Sequence, residues 1–100
     1  MYLAPSVKIA HYDFLIQQMG AVMESAEVHG MCDKSGQVIY IDTGATNAIQ
    51  KDTLLHEIMH AIWWTAYLED EDKEERVVSS LSTGLLQVLR DNPWVGEAIR

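Results

Sequence analysis

His56-Glu57-Ile58-Met59-His60 sets two imidazoles four positions apart, with a carboxylate beside the first. On a helix, residues four apart share one face. Both rings can then reach a single metal ion, and imidazole is a regular ligand of zinc. Glu57 can address water held at that ion, which is where metal-assisted hydrolysis needs a general base. The pattern predicts a small zinc hydrolase, with peptide bonds as the leading substrate class. The plain alternative is a helix whose histidines only pack or face water. The setting speaks against it: Leu54, Leu55, Ile58, Met59, Ala61 and Ile62 form a helical apolar pattern, and His56 and His60 lie at its edge.

A hydrolytic zinc site usually takes three protein ligands and keeps one position open. His11 and His29 are candidates for the third, although each falls in a predicted strand, where a histidine is more often a surface residue. Cys32 is the single cysteine and has no internal disulfide partner; such a thiol more often acts as a small apolar group. The Glu74/Glu75 pair is better placed, at the start of a helix that must return along the motif helix. On an ideal helix Glu74 aligns with Val78, Leu81 and Leu85, toward the core. Glu75 lies nearer the edge with Ser79 and Ser82, which suits a site open to substrate.

The elements that must position these groups follow from patterning. Residues 7–14 read as a strand and residues 15–27 as a short helix or ordered loop, since Gly20 interrupts a helical spacing. Residues 28–33 and 37–42 read as a hairpin closed by Lys34-Ser35-Gly36. The motif helix is expected over about residues 48–67, with Asn47 as N-cap and Asp52 near the positive end of the dipole. Residues 69–75 hold six acids in seven positions and lead, as a solvated loop, into a helix over about 73–90. Val77, Val78, Leu81, Leu85, Val88 and Leu89 form its apolar stripe, and Asp91-Asn92-Pro93 ends it. Trp94 and Val95 are expected to dock the tail on the core. Of Trp63 and Trp64, core anchoring or a self-association patch is favoured over a substrate wall. The expected fold is α+β: a single domain over residues 1–100, with a small antiparallel or mixed sheet packed against the motif helix and a second antiparallel helix.

Charge and composition exclude several classes. The chain has 100 residues and a net charge of −8, with ten of its fifteen acids after residue 50. Without a basic patch it is not expected to bind a nucleic-acid backbone or an anionic membrane surface. No signal-peptide pattern and no membrane-length apolar run is present, so a cytoplasmic location is the default.

Thr53-Leu54-Leu55-His56-Glu57-Ile58-Met59-His60-Ala61-Ile62 resembles the motif helix of the gluzincin metallopeptidases. Glu75-Arg76-Val77-Val78-Ser79-Ser80-Leu81-Ser82 resembles the E-x-x-A-N-x-F-A block of the ImmA/IrrE type. The run from Glu75 through Val78, Leu81, Gly84 and Leu85 to Asp91-Asn92 is also similar to small phage-encoded proteins of metallopeptidase type. Together these cover residues 37–93, about half the chain. The resemblance implies a minimal zincin-like domain with one zinc ion held by His56, His60 and Glu75, and Glu57 as base. It implies a peptide or protein substrate and, for a phage protein, the host cytoplasm. Ser79 stands where relatives carry Asn or Asp to orient a ligand histidine. Tyr67 and Tyr40 are the candidates for the oxyanion donor, and the strand 38–42 for an open edge that takes an extended peptide. A zinc-bound regulatory module with little turnover, and an interaction protein without metal, are the competing readings.

Overall fold

The computed structural model describes residues 2–20, 28–68, 73–98 and 100. In chain order these form β1 (Ser6–Ile9), β2 (Tyr12–Gln18), β3 (Gly30–Asp33), β4 (Val38–Ile41), α1 (Asn47–Thr65), α2 (Glu74–Asp91) and a short α3 (Trp94–Ala98). The architecture is α+β, with a mixed sheet in the order β1-β2-β4-β3. β1 pairs antiparallel with β2, β2 parallel with β4, and β4 antiparallel with β3.

Alternation along each strand sends one set of side chains inward. Val7 and Phe14, Ile16 and Ile39, and Cys32 and Ile39 are register partners on that face. Ile9, Phe14, Ile39 and Ile41 form the core with Ala61 of α1, and Leu54, Ile58 and Trp64 pack around them. Trp64 is a core anchor, since its ring meets Tyr12 and Phe14 at centroid distances of 5.2 and 6.2 Å.

Several expected boundaries move. The strand expected over residues 7–14 is two strands, because the chain reverses at Ala10-His11, with Ala10 at φ 54°. Leu15 to Gln18, expected as helix or loop, continue β2; residues 21–27 of that expectation lie outside the described residues. The cap of α1 is Thr46, whose Oγ1 accepts from the Ile49 N–H at 3.3 Å; Asn47 is the first helical residue. Asp52 lies beyond the first turn and accepts from Thr83 Oγ1 at 3.2 Å. Trp94 is exposed and does not dock.

Asp52 meets Thr83, and His60 meets Glu74. Contacts that advance along one helix while receding along the other make α1 and α2 antiparallel. The face of α2 turned inward carries Glu74, Val78 and Ser82. Val77, Leu81, Leu85 and Val88 of the expected stripe remain exposed. β4 lies between β2 and β3, so the open edge beside α1 belongs to β3 and not to the strand 38–42.

Candidate metal centre

α1 lies between the sheet and α2 and is apolar on most of its circumference, as a helix packed on both sides requires. His56, Glu57 and His60 sit on the part of it that faces β3 and the start of α2. Close approach there depends on Gly30. A Cβ at that position would collide with Thr53 Cγ2 and stand 2.9 Å from the Tyr40 carbonyl oxygen and 3.3 Å from Glu57 Cγ. The absent side chain lets the helix settle on the strand and buries Glu57 against it.

The two imidazoles converge, with His56 Nε2 and His60 Nε2 3.1 Å apart. Glu75 reaches across from α2, with Oε1 3.0 Å from His56 Nε2 and Oε2 2.8 Å from His60 Nε2. Two donors bound to one zinc ion at a tetrahedral angle stand roughly 3.3 Å apart. The observed separations of 3.1, 3.0 and 2.8 Å each lie within about 0.5 Å of that figure. Two imidazoles and one carboxylate at these separations form a donor set that fits zinc.

Two carboxylates contend for a place beside the histidines. The ligand atoms of His56, Glu57 and His60 also lie within 4.8 Å of one another and could hold a metal. Glu75 makes the direct contacts, from the open side of the cleft, with its side chain 66% exposed. Glu57 is buried, and burial pushes its carboxyl up to about 7; His60 pulls it down in part and Glu75 adds to the rise. A carboxyl whose pKa lies near neutrality is suited to exchange protons at working pH. Glu75 contacts both Nε2 atoms, and Glu57 stands beside them in the buried wall of the cleft.

Glu74, one residue earlier, faces the other nitrogen. Its Oε2 accepts from His60 Nδ1 at 2.6 Å and from Lys34 Nζ at 3.2 Å. Burial alone would raise its carboxyl, but the hydrogen bonds from His60 and Lys34 and the Lys34 charge outweigh this and hold it below the usual range. Glu74 accepts from Nδ1, so the Nε2 of His60 is the nitrogen turned toward His56 and Glu75. Glu74 Oε1 is buried with no hydrogen-bond partner among the described residues. Such an orphan costs about 1–3 kcal/mol. The unpartnered oxygen of Glu74 is thus costly to bury, while the other is placed to orient His60. Ser79, expected to orient a histidine, instead donates to Glu75 Oε1 at 3.1 Å.

No protein-family model, curated protein or solved structure matches this chain.

The site opens into a cleft of about 620 Å³, walled by Val28 to Cys32 on one side and by residues of α1 and α2 on the other. Of the other candidates, His11 is an exposed turn residue stacked on Tyr12 at 4.2 Å and is not part of the cleft. Cys32 lines the cleft, and burial and then the Glu57 charge push its thiol up to about 12, which keeps it protonated at neutral pH. His29 also lines the cleft, with Nδ1 3.2 Å from Asp42 Oδ2. Neither Tyr40 nor Tyr67 lines it: Tyr40 alternates with Ile39 and Ile41 onto the outer face of the sheet, and Tyr67 is exposed beyond the end of α1. Sequence reasoning missed Lys34, Gly30 and the pairing of His29 with Asp42. Lys34 and Gly30 carried only turn or strand signals, and the contact between Lys34 and Glu74 spans 40 positions.

Proposed function

We propose that this chain is a zinc-dependent peptidase, with His56, His60 and Glu75 as metal ligands and Glu57 as general base. The observation that carries the reading is the meeting of both Nε2 atoms with the Glu75 carboxylate at 2.8–3.1 Å, beside a buried carboxyl held near neutrality. When bound, zinc supplies a Lewis acid that eases proton loss from water and polarises a carbonyl. Glu57 takes the proton from the attacking water and later returns it to the leaving amine. Its buried seat against Gly30 holds it in place and keeps its basicity near working pH. Glu74 fixes the tautomer of His60, and Ser79 steadies Glu75.

The substrate wall follows from topology. β3 is an edge strand and its residues line the cleft, so an extended peptide can add to it as a further strand. Neither Tyr40 nor Tyr67 lines the cleft, and His29, whose Nδ1 faces Asp42, would donate to a developing oxyanion from its other ring nitrogen only as the imidazolium.

Glu57→Gln tests the reading. The variant is expected to retain zinc and to lose peptide hydrolysis by about 10²–10⁴-fold, measured on an unfolded protein substrate with metal content determined in parallel. Retained turnover would refute the assigned base. A wild-type chain that carries zinc and cleaves nothing would instead be a zinc-binding module.

A further inference from the structure

The apolar stripe of α2 stays partly exposed. Val77, Leu81, Leu85 and Val88 are 36%, 55%, 41% and 39% exposed, although α2 is a well-formed helix packed on α1 through Glu74, Val78 and Ser82. At about 100° per residue the four occupy an arc of roughly 80°. Gly84 falls beside them, and a Cβ there would meet nothing within 4 Å.

We propose that α2 pairs antiparallel with α2 of a second copy of this chain, about a two-fold axis. Shape and charge both select this occupant. In the register that sets Leu81 over Gly84 of the second copy, Leu85 falls over Ser80 and Val88 over Val77. Both leucines then face small residues, Gly84 and Ser80, which helix pairs need for close approach. The groove of about 390 Å³ lined by Lys73, Arg76, Val77, Ser80 and Leu81 receives Leu85 and Val88 of the second copy. The same reversal brings Lys73 of each copy within one residue of Asp91 of the other. Both lie on one flank of the stripe, at its opposite ends, and both are exposed. A parallel pair would set Lys73 against Lys73 and Asp91 against Asp91. The antiparallel arrangement also opposes the helix dipoles. A two-fold contact of this kind closes on itself and leaves no second stripe exposed.

Sedimentation equilibrium of the whole chain, between roughly 1 µM and 1 mM, tests the pairing. The mass is expected to climb from 11.3 kDa toward twice that value. Leu81→Glu, at an exposed position, is expected to keep its helicity by circular dichroism and to weaken association by about ten- to a hundredfold. Lys73→Asp and Asp91→Lys are expected to weaken it about three- to tenfold each, and the double variant to return within about twofold of wild type. Both charge changes suit the helix dipole, so neither is expected to unfold α2. A mass that stays at 11.3 kDa over the whole range would overturn the pairing. So would a double variant that associates no more tightly than the single ones.

Discussion

Glu74 and Glu75 are neighbours with different tasks because one residue turns a helix by about 100°. Glu75 meets the two Nε2 atoms; Glu74 meets His60 Nδ1 and Lys34. Glu74→Gln is expected to lower zinc affinity by about 10–100-fold, because the amide can offer a donor where His60 needs an acceptor. Competition with a chromophoric chelator reads this directly; an unchanged dissociation constant would show that Glu74 does not orient His60. At this scale the sequence was legible where chemistry is local. H-E-x-x-H forces two imidazoles and a carboxylate onto one helical turn wherever it folds as a helix. The choice between Glu74 and Glu75 was not legible from spacing. Helix periodicity placed Glu74 toward the core, which is where the structure puts it, but could not show that the core there holds His60 and Lys34. The buried seat of Glu57 depends on β3, about 27 residues away in the chain, and no local pattern reports it.

Elements carry the site by how closely they pack. Gly30→Ala is expected to destabilise the fold by about 1–3 kcal/mol, because the new methyl meets Thr53 and the Tyr40 carbonyl with no room to shift. Urea denaturation of the metal-free chain would show it, and wild-type stability would mean that α1 can lift off β3 without cost. The β3–β4 hairpin and both long helices were readable from turn chemistry and apolar spacing. The β1–β2 hairpin was not, because Ala10 adopts φ 54° without the glycine or asparagine that would mark such a turn. Strand order was also beyond local reading. The parallel pairing of β2 with β4 moves β4 inside the sheet and hands the open edge to β3. The stripe of α2 misled for a different reason: periodicity reports an apolar face but not what covers it, and α1 meets the adjoining face instead.

For the whole molecule, a buried acid makes stability depend on pH. The Glu57 carboxyl is raised from 4.5 to about 7 in the fold, first by burial. Below pH 4.5 it is protonated folded and unfolded, and it imposes no penalty. As pH rises, the unfolded chain releases the proton first, so stability is lost progressively until the folded carboxyl also ionises near 7. The loss amounts to about 3 kcal/mol. Glu74 works in the opposite sense: its lowered carboxyl supports the fold above the ordinary range and loses that support as pH falls. Denaturation of chelator-treated protein across pH 4–8 is expected to show the decline, and Glu57→Gln to flatten it; a variant with the wild-type slope would place the titration elsewhere. Among the described residues no helix is long and apolar enough to cross a membrane.

The central claim is that two imidazoles and Glu75 hold one zinc ion. Elemental analysis combined with native mass spectrometry of the purified chain tests it most directly. One zinc per chain is expected, lost in His60→Ala and strongly weakened in Glu75→Ala. A wild-type chain that binds no divalent metal under zinc-replete conditions, or a His60→Ala chain that retains its full complement, would contradict the account.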